Sequence, residues 1–317
     1  MNLLVTGGCG FIGSNFIEMV LETKRDSITK LVNLDALTYA ANIDNTKEFE
    51  KDEKYFFENV NLCDLTEVLY TFLKYDITHV VHLAAESHVD NSILDPNSFI
   101  ESNIIGTFNL LKAARQFHVK KFHHVSTDEV YGDLGETGKF SESTAYDPHN
   151  PYSASKASSD FLVKSYFHTF GLPITISNCS NNYGPRQHEE KFIPTIIKSI
   201  LANKKIPLYG TGTNVRDWIY VKDHCEGIWD VFQSGNLGET YCIGSNCEKR
   251  NIDIINVICD IMNVHPEEHI EYVEDRLGHD RRYAIDNTKI IENLNWKPEM
   301  SFKNGMKKTV KWYNEKN

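Results

Sequence analysis

The sequence predicts an α/β protein, a Rossmann-type doubly wound parallel sheet with a smaller mixed α/β substrate-binding part. Three observations carry this expectation. Short Val/Ile/Leu-rich runs alternate with helical patterns through the first half of the chain, a glycine-rich turn follows the first run at once, and the pattern loosens after Pro185.

The expected strands are Asn2 to Thr6, Leu31 to Asp35, Tyr55 to Val60, His79 to Ala85, Phe122 to Thr127 and Ile174 to Cys179. In such an order, ligands bind beyond the carboxyl ends of the strands, so the residues closing each run become site candidates. Two long helices with broad apolar faces are expected, Pro96 to Phe117 with Gly106 in its middle, and Pro151 to Phe170. Further on, helices are expected at Phe192 to Ala202, Ile252 to Met262 and Lys303 to Tyr313. Strands are expected at Ile206 to Tyr209, Glu239 to Ile243 and His269 to Val273. This divides the chain into a cofactor-binding part over residues 1–184, with a returning segment near 216–245, and a substrate-binding part over 185–317. No Gly/Ser/Pro-rich linker separates them, so the ligand cleft is expected between two tightly packed parts.

Composition removes several function classes. With 317 residues, 41% apolar and 24% charged, the chain reads as an ordinary globular protein, and no run approaches the roughly 18 apolar residues of a membrane span. Met1 to Val5 lacks a basic leader and runs into glycines, so it reads as a strand and not as an export signal; the expected location is the cytoplasm. The formal net charge of -11 argues against nucleic acid and anionic membrane as partners. Seven cysteines without a CxxC spacing read as reduced, buried thiols. Thirteen histidines without an HExxH, two of them (His123 and His124) adjacent on a strand and therefore facing opposite ways, give no reason to assign a metal.

In Thr6-Gly7-Gly8-Cys9-Gly10-Phe11-Ile12-Gly13, the glycines at 7, 10 and 13 permit a tight turn, close approach of backbone to a pyrophosphate, and packing of helix on strand. Asp35 closes the second strand, where a carboxylate accepts ribose hydroxyls and repels a 2′-phosphate, so NAD is expected over NADP. Tyr152 and Lys156 stand i, i+4 on one face of the expected second long helix. The spacing alone says little. Its place just after Asn150-Pro151, and downstream of a strand ending Ser126-Thr127, makes Tyr152 the expected base, with its phenol shifted toward phenolate by the Lys156 ammonium and a nicotinamide cation. The adjacent acids Asp128 and Glu129 close that strand, and burial with mutual repulsion can drive two carboxyls apart into one proton donor and one acceptor, the pair an elimination needs. Lys191, Arg216, Arg276, Arg281 and Arg282 are the cations available to a diphosphate in this acidic chain, although any one of them taken alone reads as half of a surface ion pair.

With these residues assembled, the chain resembles the extended short-chain dehydrogenase/reductase family, and within it the sugar-nucleotide dehydratases. The blocks that carry the likeness are Leu83 to Asp90, Ser126 to Gly132, Pro151 to Ala157, Asn181 to Pro185 and Arg216 to Trp218, in family order. Related 4-epimerases generally lack the Asp-Glu pair. The resemblance implies Thr127, Asp128, Glu129, Tyr152 and Lys156 as catalytic residues. It implies Gly7, Gly10, Phe11, Ile12, Gly13, Asp35, Thr38, Asn61, Leu62, Leu83, Ala84, Ala85, Ser102 and Asn182 at NAD, together with Tyr152 and Lys156. It implies Ser87, Thr127, Asn181, Lys191, Phe192, Pro207, Tyr209, Arg216, Asn251, Asp275, Arg276 and His279 at a nucleotide sugar. It also implies a homodimer, built where the two long apolar helices pair across a two-fold axis. The chain departs from the family pattern at Cys9, at Asn61 and over Gln187-His188-Glu189-Glu190. The rival expectations are a dehydratase or 4-epimerase acting on a UDP or CDP sugar, and a non-catalytic NAD(H)-binding sensor, which would have no need of all four of Asp128, Glu129, Tyr152 and Lys156.

Overall fold

The computed structural model describes residues 1–275 and 280–316. A seven-stranded, wholly parallel sheet is built from β1 (Asn2–Thr6), β2 (Lys30–Asp35), β3 (Tyr55–Asn59), β4 (His79–His82), β5 (Lys121–Thr127), β6 (Ile174–Cys179) and a last strand, Thr240–Ile243, that arrives much later in the chain. The spatial order, from one edge, is β3-β2-β1-β4-β5-β6 and then Thr240–Ile243. The chain therefore winds outward in both directions from the gap between β1 and β4, and that reversal opens a crevice at the carboxyl ends of the strands.

Helices α1 (Phe11–Thr23), α2 (Leu65–Tyr75), α3 (Val89–Leu94), α4 (Pro96–Phe99), α5 (Thr107–Gln116) and α6 (Pro151–Phe170) belong to this half. The other half holds β7 (Asn181–Tyr183), α7 (Phe192–Leu201), β8 (Ile206–Tyr209), β9 (Val215–Tyr220), α8 (Val221–Ser234), β10 (the Thr240–Ile243 strand), β11 (Glu248–Arg250), α9 (Asn251–Met262), α10 (Pro266–His269), β12 (Ile270–Val273), α11 (Thr288–Leu294) and α12 (Phe302–Lys316). Strands β11, β9 and β7 form one small sheet and β12 and β8 another. One face of the large sheet packs against α1 and α8 through Phe16, Ile17, Val20, Ile228 and Trp229. The other packs against α2, α5 and α6 through Val68, Phe72, Leu110, Leu111 and Val163. A third cluster, Ile193, Ile196, Ile254, Ile255 and Met306 among others, joins α7, α9 and α12 beneath the small sheets.

Three expectations change. The strand expected at His79 to Ala85 stops at His82, because Leu83 and Ala84 leave the ladder to donate their backbone N–H groups to the Thr6 hydroxyl (3.2 Å each). The rod expected from Pro96 to Phe117 is helical throughout, but residues Ile100–Gly106 form a π-helix between α4 and α5. Widened turns of this kind are rare and concentrate at functional sites. Here Gly106 lets the rod lie against Leu62, where an added Cβ would sit 3.0 Å from that side chain. Finally, five cysteines are buried as expected, whereas Cys63 and Cys247 are partly exposed; all seven are free.

Helix α6 begins and ends where the sequence places it. Asn150 and Ser153 form a reciprocal cap (2.9 and 3.2 Å), Pro151 sits in the first turn, and Gly171 closes the helix in the left-handed region. This fixed start aims Tyr152, Lys156 and Asp160, spaced one turn apart, at the end of β5.

Candidate active site

The glycine turn shapes the first part of the crevice. Gly7, at φ 71°, lies so close to the neighbouring strand's exit that a Cβ would stand 2.7 Å from Ala84 Cα. At Gly13 a Cβ would stand 2.2 Å from the Gly7 carbonyl oxygen. Backbone therefore meets backbone here, and Gly10 caps α1 with no side chain covering the helix N-terminus. Free N–H groups and the helix dipole there suit a diphosphate. Beyond them, Asp35, Thr38, Asn61, Leu62, Leu83, Ala84, Ala85 and Ser102 line a cleft of nucleoside character. The Asp35 carboxylate accepts N–H bonds from Cys9 (2.9 Å) and Leu37 (2.8 Å), so it shapes the turn and still presents lone pairs to the cleft. These residues fit a dinucleotide such as NAD.

Phe11, Ile12 and Gly13 lead on to a cleft shared by Thr127, Asp128, Glu129, Tyr152, Lys156 and Asn182. Thr127 is its hub. Its hydroxyl donates to Asp128 Oδ1 (3.3 Å) and accepts the Glu129 N–H (3.3 Å). Asp128 is 2% exposed, and its Oδ2 is buried without a hydrogen-bond partner. Burial first, then the Glu129 and Asp217 charges, push its carboxyl well above the usual carboxylate range, so it holds a proton. Glu129 is also raised by burial, but the Arg216 and Lys191 charges oppose the rise. The two neighbours are thereby set apart, one toward acid and one toward base.

The Tyr152 phenol is pushed far above its ordinary value by burial, and next by the Glu129 charge, so the polypeptide alone keeps it protonated. Lys156 Nζ donates to the Val125 carbonyl (2.9 Å).

A second cavity of about 380 Å³ adjoins Glu129 and is lined by Ser87, Asn181, Lys191, Phe192, Pro207, Tyr209, Arg216 and Asn251. Arg216 is 8% exposed, and its guanidinium lies 4.2 Å from the Tyr283 ring and donates to the carbonyls of Val215 (2.8 Å) and Asp280 (2.9 Å). Among the described residues no carboxylate comes within ion-pair distance of it. A buried cation held by carbonyls alone is well suited to an anionic ligand. Asp275 is exposed and does not line this cavity, and Arg276 and His279 lie outside the described residues. Arg281 and Arg282 are ion-paired with Glu136 and Glu248, which is the ordinary structural use of an arginine.

Sequence reasoning passed over Asn150, Glu190, Trp218, Asp280 and Tyr283, all of which line the cavity. Asn150 carried a readable signal, because the residue capping the Tyr152 helix must stand beside Tyr152. Asp280 and Tyr283 arrive from a distant irregular segment, which no periodicity announces.

Fold and site together define an NAD-type sugar-nucleotide enzyme of the extended short-chain dehydrogenase/reductase class. A family model described as GDP-mannose 4,6 dehydratase matches residues 4–309, and the chain belongs to this family. A dTDP-glucose 4,6-dehydratase of Escherichia coli is 48% identical over 99% of this chain and 92% of its own length. Among solved structures, DesIV, a dTDP-glucose 4,6-dehydratase from Streptomyces venezuelae crystallised with NAD and dTDP bound, superposes with a TM-score of 0.96 at 41% identity, covering 99% of this chain and 97% of that one. The dTDP-glucose 4,6-dehydratase of Bacillus anthracis in complex with NAD gives 0.92 at 42% identity, with the same coverage.

Proposed function

We propose that the protein is an NAD-dependent lyase that converts dTDP-glucose to dTDP-4-keto-6-deoxyglucose and water. The observation that carries this reading is the Asp128–Glu129 pair in one cleft with Tyr152 and Lys156. Oxidation at C4 requires only the tyrosine, lysine and cofactor. Loss of water across C5 and C6 requires in addition a proton acceptor and a proton donor.

The diphosphate of the substrate is met by Arg216 and Lys191, and Ser87, Asn181 and Asn251 face the same cavity. Thr127 holds the C4 oxygen while Tyr152 takes the C4 hydroxyl proton. NAD, when bound across the glycine turn, supplies the hydride acceptor for C4, the hydride donor for C6 and a positive charge within the site. That charge offsets the field that holds Tyr152 protonated in the polypeptide alone. The resulting C4 ketone acidifies the C5 proton, which Glu129 removes, and neutral Asp128 protonates the departing C6 hydroxyl. Asp35 selects NAD by its charge at the ribose end.

Purified protein given dTDP-glucose, UDP-glucose and CDP-glucose should form a keto sugar fastest from dTDP-glucose. A faster reaction with either other nucleotide would overturn the substrate assignment.

We further propose a homodimer in the cytoplasm. Ile100, Ile105, Phe108, Phe161 and Phe170 are 38–58% exposed on the outward faces of the α4–α5 rod and α6, an apolar surface that a two-fold partner would cover. Light scattering should give twice the chain mass at micromolar concentration, and a monomer would contradict this.

A further inference from the structure

We propose that Arg186 is a positioning residue for the cofactor: its guanidinium pins a strap, residues 185–188, across the NAD cleft, and so sets how fast NAD leaves. The proposal rests on the reading of NAD as a cofactor regenerated within each turnover, and it assigns retention of that cofactor to a residue outside the chemical steps.

The strap lies between β7 and α7. Two of its side chains, Gln187 and His188, line the same cleft as Gly10, Phe11, Tyr152 and Lys156. Ala40, in the segment after Asp35, lines that cleft too, and beside it the Tyr39 ring meets the His188 ring edge-on at 5.8 Å. The strap and the segment after β2 thus touch at the cofactor cleft. Gln187 Oε1 is buried with no hydrogen-bond partner among the described residues, as fits an atom that faces a ligand.

Residues 185–188 belong to no helix or strand, and side chains hold them. Asn15 Nδ2 donates to the Pro185 carbonyl (3.0 Å), Gln187 Nε2 to the Asn182 carbonyl (3.0 Å), and the Tyr313 hydroxyl to the Gln187 carbonyl. Arg186 adds the ionic ties. Its Nη1 donates to Glu18 Oε2 (3.2 Å), and its Nη2 to Glu18 Oε1 (3.4 Å) and Glu48 Oε1 (2.7 Å). The guanidinium lies 5.9 Å from the Phe49 ring, and the side chain is 10% exposed. Glu18 is on α1, whose N-terminus suits the diphosphate, and Glu48 is in the 3₁₀ turn Lys47–Lys51. One side chain therefore joins the strap to the diphosphate helix and to the chain that runs on from Asp35.

The backbone at Arg186 carries the mark of this tie. Its φ is 70°, in the left-handed region that a long side chain rarely adopts, and such strain persists only where surrounding contacts over-determine it. Retention matters for the chemistry proposed. The hydride taken from C4 rests on the cofactor while water is lost, so a cofactor that left before returning it to C6 would strand an unreduced keto sugar.

Exchange of isotopically labelled NAD from the holoenzyme into excess unlabelled NAD reads this directly. Arg186→Gly adopts the positive φ without strain and removes the ionic ties. Lys222 Nζ, 3.2 Å from Glu18, still balances that carboxylate, so the variant should fold. It should exchange NAD about ten- to a hundredfold faster, the range for a lost charge-assisted hydrogen bond, with kcat at saturating NAD and KM for dTDP-glucose little changed. An unchanged exchange rate, or a faster one matched by an equal loss of kcat at saturating NAD, would overturn the proposal. Where Arg186→Gly does not fold, Glu48→Gln decides, because that carboxylate is 62% exposed and its replacement leaves the core intact. Exchange should still quicken, and an unchanged rate would count equally against the strap. The reading beneath is tested separately: a wild-type enzyme that consumes added NAD mole for mole with dTDP-glucose would remove the regenerated cofactor, and the purpose of the strap with it, even where Arg186→Gly exchanges faster.

Discussion

Asp128→Asn is expected to slow formation of the dehydrated product by about 10²- to 10⁴-fold, the range typical of a lost general acid, while a 4-keto sugar that still carries its C6 hydroxyl accumulates. An amide of nearly the same shape cannot donate the carboxylic proton. The variant should fold. A carboxyl whose native pKa is raised costs stability at every pH above its unfolded value, so replacing Asp128 by an uncharged group removes that cost at neutral pH. Exchange of the C5 hydrogen with deuterated solvent should continue in Asp128→Asn and stop in Glu129→Gln, because Glu129 is the proton acceptor. The pH dependence follows from the same pair. Activity should fall toward acid as Glu129 protonates, with a limb above the ordinary glutamate value because burial raises it, and toward alkali as Asp128 ionises. Full dehydration by Asp128→Asn would show that neither role is right.

Tyr152→Phe is expected to suppress the reaction one step earlier, by at least a comparable factor, leaving neither the dehydrated product nor the hydroxylated 4-keto sugar. In the proposed sequence of steps the phenol serves the oxidation and has no role in the elimination. The variant should fold, since the ring remains packed edge-on against Phe99. Separate accumulation in the two variants, a 4-keto sugar in one and unreacted substrate in the other, would place Tyr152 before Asp128 in the sequence of events. If Tyr152→Phe instead accumulates the 4-keto sugar, oxidation does not depend on this phenol.

Much of this was legible in the residues. Strand and helix periods differ enough that β1, β6 and α6 fall at the positions the pattern predicts, and a capped helix start fixes which face Tyr152 and Lys156 present. The π-helical residues Ile100–Gly106 were not legible, since an apolar stripe over so few residues fits a turn of either width. Nor was the end of β4, where Leu83 to Ala85 continue the apolar run but their N–H groups turn to Thr6. The phenolate expected at Tyr152 depends on a nicotinamide cation as well as on Lys156, and the polypeptide alone does not test it. Without the cofactor, burial first and then the Glu129 charge hold that phenol protonated.

The central claim is that one site oxidises C4, eliminates across C5 and C6, and reduces C6 within a single turnover. The most direct measurement uses dTDP-glucose carrying deuterium at C4, with the position of the label in the product read by NMR. The account predicts deuterium at C6 of a 4-keto-6-deoxy sugar, because the hydrogen taken from C4 is returned to the same molecule after water has left. Deuterium found at C4 of an epimerised sugar would instead contradict the dehydratase reading and the roles of Asp128 and Glu129 with it.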